Sequence, residues 1–91
     1  MEKPEGLDAK TLEKFAATVS VNNVRAIECD DGRFKLVLNI SGRSGEFALY
    51  GQGKQGKMRK FADLTRLARF CRRLGIYELV VVNRKPNNEA A

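Results

Sequence analysis

The sequence predicts a single small α+β domain, on three observations. Apolar residues recur at helical spacing in two separate stretches, they alternate with polar residues in the stretches between, and glycine-rich turns divide the segments. The element order is α-β-β-β-α-β: an N-terminal helix, a three-stranded antiparallel meander, a long helix and a fourth strand, with the helices on one face of the sheet. At 91 residues and 43% hydrophobic the chain suits one domain, residues 1–91, whose core is small enough that a partner adds useful burial. The polar ends, 1–6 and 84–91, are expected to be flexible.

The first helix is predicted to start at Asp8, a residue able to cap free amides, with Leu7 and Leu12 placed as a hydrophobic staple. Leu12, Phe15, Ala16 and Val19 continue it at helical spacing to about residue 18. From 19 to 29 β-branched residues dominate, and the Asn22-Asn23 pair interrupts the alternation, as a bulge or a late strand start would. Asp30-Asp31-Gly32 is turn chemistry and predicts a hairpin. The next strand is the clearest, with Phe34, Leu36, Leu38 and Ile40 on one face and Arg33, Lys35, Val37 and Asn39 on the other. A second turn, 42–45, leads to a strand with Phe47 and Leu49 inward and Ala48 and Tyr50 outward.

A helix over 58–74 is predicted from the stripe of Phe61, Leu64, Leu67, Ala68, Cys71 and Leu74, stopped by Gly75 with Ile76 just beyond. Arg72 and Arg73 suit its negative end. The almost continuous apolar run 77–82 reads as a strand inside the sheet, parallel to the first strand of the meander and beside it through a right-handed crossover.

Charge divides the chain. Residues 1–32 carry four Lys/Arg and seven Asp/Glu, whereas 33–91 carry thirteen and four. Such asymmetry steers a polyanion to one part of the surface or lets the two halves attract each other. No apolar run is long enough to span a membrane and the first residues lack the apolar core of a secretory signal, so a cytoplasmic location without membrane association is expected. Cys29 and Cys71 have no CxxC spacing and the chain has no histidine, which predicts reduced thiols and no metal site. No catalytic group and no cofactor are expected: Asp30-Asp31 is explained by its turn, and neither cysteine has an evident base.

Three constellations carry candidate function. The loop Gly51-Gln52-Gly53-Lys54-Gln55-Gly56-Lys57 fits both GxGxxG and GxxxxGK, and its predicted place between a strand and a helix is the one such loops need to present amides to phosphate. Met58 stands where a phosphate loop has the Ser or Thr that binds magnesium, and the chain is short for a nucleotide-binding fold. The loop is therefore read as a basic connector whose lysines can touch nucleic-acid phosphates. On the long helix, Arg59, Arg66 and Arg73 lie seven apart with Arg69 beside them and Asp63 able to pair with Arg59 or Arg66. Phe70 falls near this stripe, where it stacks on an unpaired base or is covered by the first helix or a second subunit. The third is the outer sheet face, Arg33, Lys35, Val37, Asn39, Ala48 and Tyr50, suited to nucleic acid or to a dimer contact.

Residues 59–76, RKFADLTRLARFCRRLGI, resemble a pattern in small accessory proteins of plasmids and other mobile elements, some described as partition-associated and of the ParC kind, in which R-x-F-x-x-L opens an arginine-rich helix that ends in L-G-I before a short hydrophobic strand. The resemblance covers 18 of the chain's 91 residues and implies a non-enzymatic factor of plasmid maintenance. Together these readings predict a nucleic-acid-binding accessory protein, DNA being the expected partner, acting through Lys54, Lys57, Arg59, Lys60, Arg66, Arg69, Phe70 and Arg73. The alternative is a dimeric module that meets an acidic protein partner.

Overall fold

The computed structural model describes residues 5–18, 20–51 and 57–83. Its elements run β1 (Glu5–Leu7), α1 (Ala9–Thr18), β2 (Val21–Glu28), β3 (Phe34–Ile40), β4 (Phe47–Leu49), β5 (Lys60–Phe61), α2 (Leu64–Arg73) and β6 (Val80–Val82). The fold is α+β, two helices with a six-stranded mixed sheet ordered β1-β4-β3-β2-β6, and β5 pairs with β3 beyond the end of β4. No helix among the described residues is long and apolar enough to cross a membrane.

β1 falls partly within the stretch the sequence predicts to be flexible. It runs parallel to β4 with Gly6 opposite Ala48, and the Tyr50 ring lies so close to Gly6 that a Cβ there would meet it at 2.9 Å. Glycine is needed at this position because an aromatic ring occupies the side-chain space. α1 starts as expected: Asp8 Oδ1 accepts the Thr11 amide at 2.8 Å, and that bond holds the Asp8 carboxyl below its usual range.

The interruption at Asn22-Asn23 is a β-bulge. The β2–β3 register shifts by one between Asn22 and Arg25, and Asn23 takes a left-handed φ of 52°. Asparagine tolerates that conformation better than a β-branched residue does. The bulge sets Val24 and Ala26 inward and Arg25 outward, so the strand keeps its apolar residues on the core side after the irregularity.

β4 and β5 line the same side of β3 in succession, Ala48 opposite Val37 and Lys60 opposite Lys35. Between them, Tyr50 and Met58 form a bridge and Gly51 N–H donates to Lys57 O at 2.7 Å, on either side of residues 52–56, which lie outside the described residues. The glycine-rich loop therefore does not open a helix. Residues 58–63, predicted as the first turns of the long helix, hold the Met58 bridge, strand β5 and the helix cap instead. Phe61 fits a helical stripe and a strand equally well; pairing with Phe34 and the extended cap at Asp63 (φ −151°) decide for the strand.

α2 begins at Leu64, with Asp63 Oδ1 accepting the Arg66 amide at 2.9 Å. It ends where predicted: Gly75 N–H donates to Arg72 O, Ile76 N–H donates to Cys71 O, and Gly75 has a φ of 83°. This is the Schellman closure, with Ile76 buried just past the glycine. Leu12 of α1 and Leu67, Phe70 and Cys71 of α2 share one apolar cluster with Leu36, Leu38 and Leu49. Burial there pushes the Cys71 thiol up to about 11, which leaves it a neutral core group.

β6 lies beside β2 and parallel to it, with Val81 opposite Ala26, but it is the last strand of the sheet and not an interior one. The strand starts at Val80, and Tyr77, Val80, Val81 and Val82 are all exposed. A continuous apolar run fits any strand covered on both sides, and among the described residues no strand pairs with the outer edge of this one.

Candidate nucleic-acid interface

β5 and α2 meet at an angle that gathers the basic residues of the second half around two aromatic rings. Phe61, pointing inward from β5, and Phe70, in the second half of α2, pack with ring centroids 5.5 Å apart and a 50° tilt. The Arg59 guanidinium lies over both, 4.9 Å from the Phe61 centroid and 5.2 Å from that of Phe70. Arg73 approaches Phe70 from the far side at 5.9 Å. Arginine on an aromatic face is attracted by the ring quadrupole and keeps its N–H donors free to bond outward.

These residues, with Arg66 and Arg69, line an open cavity of about 600 Å³. Its volume lies within the range of small-ligand sites. Arg66, Arg69 and Arg73 reach it because they recur at three and four residues along α2, the spacing that keeps side chains on one face. Arg66 Nε stands 3.8 Å from Asp63 Oδ2, at the outer limit of an ion pair. Among the described residues no carboxylate bonds Arg59, Arg69, Arg72 or Arg73. A cluster of unneutralised guanidiniums suits phosphate or carboxylate oxygens, which it can bond in pairs.

The remaining predicted residues divide. Lys57 is exposed at the end of the loop, and Lys54 lies outside the described residues. Lys60 donates to Asp31 Oδ2 at 3.2 Å, so part of its charge is taken up within the domain. Phe70 is 6% exposed and belongs to the core, where Phe61, Arg59 and Arg73 cover it; it does not offer the open face that base stacking needs. The helical spacing that put Phe70 near the arginines also puts it at the boundary of the apolar stripe, and packing draws it inward.

The outer sheet face is also closed at its centre. Val37 and Ala48 are each 1% exposed. The same strands carry a polar lattice that the sequence did not reveal: Arg25 Nη1 donates to Glu46 Oε2 at 2.9 Å, Arg25 Nη2 and Asn23 Nδ2 both donate to Asn39 Oδ1, and Asn39 Nδ2 donates to Gly45 O. The signal was the bulge, which turns Arg25 outward over its neighbours. Helical spacing makes Phe61 plain core, whereas the alternation of β5, Lys60 out and Phe61 in, places it in the cavity lining.

Among the described residues no group of three or more His, Cys, Asp or Glu could hold a metal ion. The arrangement offers anion binding through several guanidiniums at once, backed by an apolar floor. No protein-family model, curated protein or solved structure matches the chain.

Proposed function

We propose that this protein is a non-enzymatic nucleic-acid-binding accessory factor that holds backbone phosphates in the arginine cavity between β5 and α2. One observation carries the reading: Arg59, Arg69 and Arg73 converge on a cavity of about 600 Å³ with no carboxylate bonded to them among the described residues. Leaving several cations unpaired and close together costs self-repulsion, which a polyanion relieves while releasing its own counterions. Arg66 and the exposed Lys57 extend the contact, and Lys54 joins it by its place in the same loop. The plasmid-maintenance setting is proposed on the resemblance of residues 59–76 to mobile-element accessory proteins.

The test is fluorescence anisotropy of labelled single-stranded and duplex DNA at two salt concentrations, with an Arg66→Glu/Arg69→Glu double variant alongside. Binding is expected to weaken steeply with salt, since each phosphate contact contributes a slope of roughly −0.7 on single strands and −0.9 on duplex in log K against log salt. The variant is expected to lose most of it while keeping the wild-type circular dichroism. Absence of binding at low salt sinks the reading. Capture of an acidic peptide by the same arginines, with DNA ignored, transfers the site to a protein partner.

A further inference from the structure

The arginine cavity is lined by two kinds of surface, and a phosphate uses only one of them. Guanidiniums surround it, whereas Phe61, Ala62 and Phe70 give it an apolar floor. A phosphate gains nothing from apolar surface, but a nucleobase gains by burying its flat face. Neither ring is open to such a base, since Phe61 and Phe70 are each 6% exposed. Over both lies Arg59, itself exposed, with its guanidinium 4.9 Å from one centroid and 5.2 Å from the other. We infer, on the footing that this cavity is the nucleic-acid site, that it selects an unpaired strand, one base of which stacks on the outer side of the Arg59 guanidinium while Arg66, Arg69 and Arg73 hold the adjoining phosphates.

Arg59 is fixed at both ends. Its backbone N–H donates to Leu49 O at 3.0 Å, which anchors the start of the side chain to β4, and the two rings, 5.5 Å apart, hold the far end. Among the described residues no carboxylate bonds it, so no ion pair draws the guanidinium off the rings. A guanidinium is flat and weakly hydrated, which lets it lie between an aromatic ring on one side and a base on the other; an ammonium has the charge without the plane. Holding that plane in place beforehand removes much of the cost of ordering a long side chain on binding. A duplex cannot use it, because its base faces are closed within the stack and only base edges reach the grooves. An unpaired strand presents base face and phosphate together, and Arg66, Arg69 and Arg73, on one face of α2, continue the contact along its backbone.

The experiment is fluorescence anisotropy with three labelled probes: a single strand of DNA, its duplex, and a strand of the same length that is abasic throughout. Wild type is expected to bind the intact strand about tenfold more tightly than the abasic one, the size of one stacked base. Arg59→Lys, which keeps the charge, is expected to lose about tenfold on the intact strand and to bind the abasic strand and the duplex as wild type does. The two losses are not expected to add, because they remove the same contact. The abasic comparison uses the wild-type protein and does not depend on how the variant folds. Equal affinity for intact and abasic strands, or an Arg59→Lys variant that still discriminates between them, would overturn the inference and leave the phosphate contacts standing. Absence of binding to every probe at low salt would overturn both.

Discussion

The basic residues on the two sides of the sheet are used in opposite ways. On the outer face Arg25 and Lys60 are bonded within the domain, to Glu46 at 2.9 Å and to Asp31 at 3.2 Å. On the side of α2, Arg59 and Arg73 rest on aromatic rings and Arg69 is exposed, with no carboxylate bonded to them among the described residues. The two groups are indistinguishable in a charge count. What separates them is the partner that the fold brings within reach, because a bonded guanidinium has little left to offer a ligand and an unbonded one has all its donors.

Removing a bonded cation should therefore cost stability and leave binding alone. Arg25→Ala is expected to lower stability by about 1–2 kcal/mol, through loss of charge-assisted bonds to Glu46 and Asn39. Its affinity for DNA should remain that of wild type. Urea titration and anisotropy on the same sample check both halves, and a large fall in affinity without loss of stability would erase the distinction between the two faces.

The comparison sharpens at Asp63, the carboxylate 3.8 Å from Arg66. Asp63→Asn keeps a residue able to cap α2 and removes the charge. DNA affinity is expected to rise roughly threefold, the size of one exposed ion pair released, with little change in melting temperature. Unchanged affinity would place Arg66 outside the binding surface.

The smallest effect belongs to Asp31. The Arg33 amide, and after it Lys60, hold its carboxyl below the ordinary value of 3.8. A lowered folded-state value means that the contribution is present above the unfolded value and lost as pH falls through the folded one. The Asp31→Asn variant is expected to lose this part of the acid-side slope in melting temperature and to match wild-type DNA binding at neutral pH. An identical acid limb would show that the turn does not hold the charge in solution.

Local chemistry made much of the fold legible before any coordinates. Asp8, the Asn22-Asn23 bulge, the Gly32 turn and the Gly75-Ile76 closure each act over a few residues, and the structure has all of them. Residues 58–63 and Phe70 were less legible. At both places one sequence satisfies two periods, and the choice depends on Phe34 and Phe61, which are distant in the chain and adjacent in the sheet. The arginines of the candidate site could be named from the sequence, but their division from Lys60 and Arg25 could not, since Asp31 and Glu46 lie 29 and 21 residues away.

The α+β class, the caps and turns, and the concentration of positive charge after residue 32 follow from period, composition and local hydrogen bonding alone. Tertiary structure decided which cations stay unpaired, that Phe70 belongs to the core, that Val37 and Ala48 are covered, and that β6 is an edge. The reason is range: capping and alternation are settled by neighbours in the chain, whereas burial and ion pairing are settled by whatever the folded sheet and helices bring into contact.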